Sequence, residues 1–272
     1  MNRLLKIELL KISSYTTFLV LAGLTVGFYI LILFAGTQIN LDLDFDKYVD
    51  FEAYFRFSTV FQSIAYYSSW FFPLLSLLII IITGNEFGFR TIRQNIIDGL
   101  SREEFFYSKI IVIVLLATAI TFIAFISSFT VGSVFSGGFN NFHFSDLKYF
   151  ISFFIQTVAY LSLAFLISLL LKSIGASIVV FLGYFIVELI IRAYFSILKL
   201  NFSAFLPAKV FSNLTPAPSI TTMIKNDEIK IAINENIKTA GELSFNANLI
   251  VAVIYITLFL FLSYQVINKK DL

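Results

Sequence analysis

Six long apolar runs, separated by charged stretches, constrain this chain more than any other feature of its sequence. They lie at about Thr16 to Gly36, Tyr66 to Gly84, Lys109 to Phe135, Lys148 to Leu171, Ile174 to Leu198 and Asn248 to Val266. A hydrocarbon layer about 30 Å thick is crossed by roughly 20 apolar residues in an α-helix, which satisfies its backbone N–H and C=O groups within one segment. Each run therefore predicts one membrane-spanning helix, and the expected fold is an all-α membrane protein with about six transmembrane helices. Composition agrees: of 272 residues, 58% are hydrophobic and 13% charged, a balance that a soluble core of this size could not hide from water. No polar or low-complexity tract suggests a soluble domain, so residues 1–272 are expected to form a single membrane domain.

Several chemistries are excluded at the same level. A net charge of +2, scattered among apolar spans, gives no basic surface for a nucleic-acid partner. The absence of cysteine removes disulfides, thiolate metal sites and cysteine nucleophiles, and the single histidine, His143, cannot build a multi-histidine metal centre. Neither a catalytic residue nor a metal ligand is expected, which argues against an intramembrane protease, and His143 reads as an ordinary exposed residue. The first run is too long for a cleaved signal core and lacks an Ala-x-Ala-like site, so it is expected to remain a membrane helix.

Loop charges set the orientation. Arg3, Lys6 and Lys11, then Arg90, Arg93, Arg102 and Lys109, then Lys172, then Lys269 and Lys270 all fall on one side of a six-span arrangement. The positive-inside rule makes that side the cytoplasm and places both termini there. The other side holds Asp42, Asp44, Asp46, Asp50 and Glu52, and a long outer segment, 199–247, between spans five and six. Its first half carries Phe202, Phe205, Leu206-Pro207 and Thr215-Pro216-Ala217-Pro218, too apolar for a free loop; it either re-enters the membrane or caps the bundle. Lys172-Ser173 is so short that spans four and five must form an antiparallel hairpin. The Phe-, Lys- and Asn-containing usage suits an AT-rich bacterial genome, and the expected location is the bacterial inner membrane. In Met1 to Ile12, Leu4, Leu5, Leu9 and Ile12 recur at helical spacing beside Arg3, Lys6 and Lys11. That pattern reads as an amphipathic helix in the cytoplasmic interface, or as a plain positive flank that orients span one.

The most patterned stretch joins spans two and three, from Thr83 to Lys109. Thr91 can cap a short helix whose Ile92, Ile96 and Ile97 face the membrane boundary, Gly99 can end it, and Ser101 with Glu104 makes a capping box for the next helix. The expected product is a short helix across the cytoplasmic mouth, presenting Arg93, Gln94 and Asp98. A capped connector with no further role obeys the same rules.

This stretch resembles the signature of type-2 ATP-binding-cassette (ABC) exporter permeases. In that family an acidic residue closes the second span, a Thr follows, a coupling helix comes next, and a Gly/Pro-Ser-Arg turn leads to a Lys that opens the third span. Glu86, Thr91, the helix Thr91 to Asp98, Gly99-Leu100-Ser101-Arg102 and Lys109 stand at these places, while Phe89-Arg90-Thr91 departs from the family's commoner Gly-Thr pair. The family layout also has six spans, an interfacial N-terminal helix and a large outer loop before the last span. The resemblance implies a transmembrane permease that alternates its access under the control of a separate ABC-type ATPase subunit, coupled through Glu86, Thr91, Arg93, Gln94, Asp98, Ser101 and Arg102. This chain has no Gly-x-x-x-x-Gly-Lys-Ser/Thr loop, so ATP and Mg would be bound by that partner. A second permease subunit, identical or related, is implied as well. An amphipathic peptide antibiotic or a lipid-like molecule is the implied cargo.

Three further features bear on packing. Glu188 and Arg192, four apart in span five, read either as a polar patch at the transport cavity or subunit interface, or as a self-satisfied pair near the outer boundary. Gly23 and Gly27 form a small-xxx-small pattern for close helix approach, between subunits or within one. Pro73, beside Trp70, Phe71 and Phe72, should kink or loosen span two, although an aromatic belt explains the same residues. Functions of other classes fit the spans as well: an ion-gradient secondary transporter, for which Glu188 is the one membrane carboxylate, or a non-transporting membrane scaffold.

Overall fold

A computed structural model describes residues 5, 6, 8, 10, 11, 13, 15–38, 50–57, 59–89, 91–97, 99–138, 144–198, 201–222, 224 and 243–269. Its α-helices are α1 (Thr16–Gln38), α2 (Val60–Ser69), α3 (Phe72–Gly88), α4 (Thr91–Ile97), α5 (Arg102–Ser136), α6 (Lys148–Leu171), α7 (Ile174–Ile197), α8 (Pro207–Ser212) and α9 (Phe245–Lys269). The described residues before Tyr15 are helical too. Asp42, Asp44, Asp46 and His143 lie outside the described residues.

Helices α5, α6, α7 and α9 are each long and apolar enough to cross a membrane, and α2 with α3 makes a fifth candidate, bent by 47°. Among the described residues the chain is thus predominantly helical, with the apolar helices of a membrane protein. Helix α1 has 23 residues without a charged side chain, of which the stretch Thr16–Leu31 counts as a shorter apolar helix.

The run expected as one span from Tyr66 is two helices. Had α2 continued, the ring of Pro73 would have met the carbonyl of Ser69, four residues back. The chain instead breaks over Trp70 and Phe71, and Pro73 becomes the second residue of α3, where its missing N–H costs nothing. The third span begins earlier than expected as well, since the Ser101 cap starts α5 seven residues before Lys109.

Helix α6 is the hub. About 72% of its apolar window is buried, against 17–22% for α5, α7 and α9, and α2, α3, α5, α7 and α9 all pack against it. Its sequence explains this: Ser152, Ala159, Ser162, Ala164 and Ser168 are small and wholly buried, so neighbouring backbones can approach closely. The surrounding helices turn apolar faces outward, as with Val179, Ile186, Leu189 and Ile190 of α7, which is the arrangement a lipid solvent permits.

The two ends of the bundle differ. At one end α4 lies between α3 and α5, and Lys172, with φ +53°, turns the tight α6–α7 hairpin. At the other, residues 201–222 close over the helices: α8 buries Ala208, Val210 and Phe211. There Tyr54 donates to the Pro218 carbonyl at 3.3 Å, and the Gln62 amide to the Pro216 and Ala217 carbonyls, both at 3.2 Å. The first half of the long segment is therefore a packed cap; residues 225–242 lie outside the described residues.

Candidate functional site

Four charged side chains meet at the α4 end. Glu86, in the last turn of α3, is fully buried, and its Oε1 accepts from Lys109 Nζ and from Lys11 Nζ, each at 2.8 Å. Lys109 also donates to Glu8 Oε2 at 2.8 Å, and the Ser108 hydroxyl donates to Glu8 Oε1 at 3.0 Å. Lys11 stands 3.6 Å from Glu8, closing the alternation of signs. Lys109 further lies 5.3 Å from the centroid of the Phe105 ring.

Taking an ion out of water costs several kcal/mol, so burial on this scale persists only where charges of opposite sign alternate; one oxygen of the cluster, Glu86 Oε2, is buried without a hydrogen bond among the described residues. Two carboxylates and two ammoniums balance here. For Glu8, burial alone pushes the carboxyl up, but the Lys109 and Lys11 ammoniums and the bonds from Lys109 and Ser108 together hold it below its ordinary value.

Local sequence builds each half. Glu8 and Lys11 are three apart, and so share a helix face. Glu86 and Lys109 are brought together by the turn through α4. That turn is closed by Gly99 at φ +97°, a conformation L side chains rarely adopt, with the Leu100 N–H donating to the Asn95 carbonyl at 2.9 Å. The expected capping box follows: the Glu104 N–H donates to Ser101 Oγ at 3.1 Å and the Ser101 N–H to Glu104 Oε2 at 2.9 Å.

The residues expected to couple to an ATPase sort into distinct positions. Thr91 is the first residue of α4 rather than its cap; its hydroxyl donates back to the Glu86 carbonyl at 3.4 Å, tying α4 to α3. Gln94 is exposed. Arg93 belongs to α4, but its side chain, like all of Asp98, lies outside the described residues. Arg102 donates to the Asn268 and Ile267 carbonyls at 2.8 and 3.4 Å, covering two of the four orphan acceptors at the end of α9. Glu103 accepts from the Tyr264 hydroxyl at 2.9 Å in the same joint. The isoleucines part company: Ile92 is buried in the core with Phe105, whereas Ile97 is 84% exposed.

Glu188 occupies a separate position, at the α8 end. Its Oε2 accepts the Ala208 N–H at 2.8 Å and the Tyr184 hydroxyl, and its Oε1 accepts the Lys209 N–H at 2.9 Å. Leu206 precedes α8 and offers no side-chain cap, so Glu188 caps that helix from 20 residues away. Arg192 Nε, 3.6 Å from the carboxylate, is a secondary partner. A Cβ built on Gly23 or Gly27 meets nothing within 4 Å, so among the described residues neither glycine serves close packing within the chain.

From sequence, Glu86 and Lys109 stand out, whereas Lys11 reads as part of a positive flank and Glu8 passes unnoticed. The available signal is that Glu8 is the one acidic residue of Met1 to Ile12, three positions from Lys11. No curated protein and no solved structure matches the chain. Residues 28–272, which include Glu86 and Lys109 but not Glu8 and Lys11, match the family described as protein of unknown function (DUF2705), and the chain belongs to that family.

Proposed function

We propose that this protein is the membrane-embedded permease subunit of an ATP-driven exporter of the type-2 ABC kind, with ATP and Mg held by a separate ATPase subunit. The observation that carries the reading is the anchoring of α4. Thr91 ties one side of it to α3, the Ser101–Glu104 box and Arg102 tie the other to α5 and α9, and Gln94 and Ile97 are left facing outward. A short helix held from both sides passes a push on to the long helices instead of absorbing it.

Six crossings suit this reading, with α1 as the first. Lys11, just before α1, meets Glu86 at the α4 end, while Tyr54 and Gln62, beyond it, meet Pro218 and Pro216 at the opposite end. A helix of 23 residues, about 34 Å long, covers that distance. With the α4 end in the cytoplasm of a bacterial cell, the open face of α1 at Gly23 and Gly27 and the exposed face of α7 are free to meet lipid or a second permease subunit. An amphipathic peptide or lipid-like cargo would be handled between two such subunits. An ion-gradient carrier needs a carboxylate at the midplane; Glu188 is occupied as a helix cap, and Glu86 stands at the end of α3.

The test is gentle solubilisation of the full chain from its native membrane and identification of what co-purifies. A cassette-type ATPase is expected, and Arg93→Glu should release it while the permease stays folded. A chain that purifies without any ATPase, or an Arg93→Glu variant that keeps it, counts against the proposal.

A further inference from the structure

The ion quartet is made of two halves, each neutral by itself. Glu8 and Lys11 belong to the segment before α1 and lie 3.6 Å apart; Glu86 and Lys109 belong to the α3–α5 turn and lie 2.8 Å apart. We propose that the segment carrying Glu8 and Lys11 is a latch that docks reversibly on the Glu86–Lys109 pair, so that the start of α1 can be coupled to or freed from the α3–α4–α5 unit.

Charge balance is the argument. A buried ion network is normally permanent, because pulling away one partner strands the other in a poor solvent. Here separation strands nothing. The segment leaves with its own Glu8–Lys11 pair, and Glu86 keeps Lys109. The bonds broken are Lys109 to Glu8, Ser108 to Glu8 and Lys11 to Glu86, all polar contacts that water can replace at a bundle end. Lys11 is already 20% exposed while the other three side chains are closed off, so opening can begin at its edge.

The fold supplies a hinge. Tyr15 is not helical; its carbonyl accepts the first bond of α1 from the Leu19 N–H at 3.1 Å, and its ring packs on the core that buries Phe18. Rotation of the backbone ahead of that bond would lift the segment without unpacking α1. Docked, the segment joins α1 to the helix ends that α4 connects; lifted, it leaves them free to move separately. Glu188 shows the contrast: its partners are backbone amides of a packed cap, and removing it would leave them bare. The latch does not depend on ATP coupling and would operate in a carrier of any kind.

Ser108 reports on it, because it is buried and lies against Glu8, and because the chain has no native cysteine. Ser108→Cys, in the full chain reconstituted into lipid vesicles, should react with a soluble maleimide to completion, but far more slowly than the exposed Ser101→Cys. Adding Glu8→Gln with Lys11→Gln should raise the Ser108→Cys rate by about tenfold or more, with helicity unchanged, as expected when a local opening becomes easier. A rate equal to that of Ser101→Cys would mean that the segment is not docked. A Ser108→Cys chain that never labels, or a rate that the double substitution leaves unchanged, would remove the reversible ionic latch. Loss of helicity in the double variant would make the quartet a permanent part of the core and overturn the proposal too.

Discussion

Lys109 and Glu86, 23 positions apart, meet at 2.8 Å in a pocket closed to solvent, and each also binds a residue from the segment before α1. A lysine shared by two carboxylates cannot be removed alone without stranding negative charge. Lys109→Met should therefore destabilise the fold by about 3–5 kcal/mol, the usual penalty for breaking a buried pair from one side. Adding Glu86→Gln should recover a substantial part of the loss, because Glu8 and Lys11 remain as a balanced pair. Chemical or thermal unfolding of the single and double variants checks this; strictly additive losses would contradict the coupling.

Glu8 gives the same cluster a pH dependence. Its folded pKa lies below its ordinary value of 4.5, so the unfolded chain binds that proton more readily. The stabilisation from Glu8 is complete above about pH 4.5 and is lost as pH falls through the lower folded value. Melting temperatures between pH 7 and 3 should decline less steeply for Glu8→Gln than for the unaltered chain in the acid limb. Parallel curves would remove Glu8 from the balance.

How much of this was legible in the sequence depended on range. The Lys172-Ser173 hairpin and the Ser101–Glu104 box are each fixed within a few residues, where helix periodicity and capping chemistry act, and the structure has them as read; of the six apolar runs, four are single helices long enough to span and a fifth is a bent pair. The break at Trp70 was half legible: Pro73 signals a disturbance, but only the clash with the Ser69 carbonyl says where the helix must stop. Glu188 shows the limit. Arg192 four residues on is visible on any helix, yet the stronger partners are the Ala208 and Lys209 amides, which reach it only once α8 folds back on α6 and α9. Glu8 stayed hidden for the same reason, since its partners lie 100 residues away.

That ranking of partners at Glu188 can be measured. Glu188→Ala leaves two N–H groups of a buried helix start without acceptors, and should cost about 1–3 kcal/mol, the range for unsatisfied buried donors. Arg192→Met should cost under about 1 kcal/mol, because its side chain is 31% exposed and its nitrogen stands 3.6 Å off. Equal losses would mean that the ion pair, and not the cap, holds Glu188 in place.

Gly132 marks a close crossing of α5 with the chain entering α2. A Cβ there would lie 2.8 Å from Cε1 of Phe57 and 3.1 Å from Cγ1 of Val60, both wholly buried. The Phe57 ring is wedged against Phe61 and Phe129 and cannot swing away freely. Gly132→Ala should destabilise by about 1–3 kcal/mol, as overpacking generally does, and Phe57→Leu in the same chain should restore part of it by making room. A neutral Gly132→Ala would show that α2 and α5 can slide apart at this point.

The number of crossings reduces to a question of sides. Ser13 and Ser101 are exposed at the α4 end, and Ser219 is exposed in the cap at the other. Between Ser13 and Ser101 the chain passes through α1 and the bent α2–α3 pair; between Ser101 and Ser219 it passes through α5, α6 and α7. Two crossings return the chain to its starting side and three do not. In a chain without native cysteine, Ser13→Cys and Ser101→Cys should therefore react with an impermeant thiol reagent from one face of the membrane, and Ser219→Cys from the other. By the positive-inside rule the first face is expected to be the cytoplasmic one. Labelling of Ser13→Cys from the Ser219 side would mean that α1 does not cross, and it would separate Lys11 from Glu86 by the thickness of the bilayer.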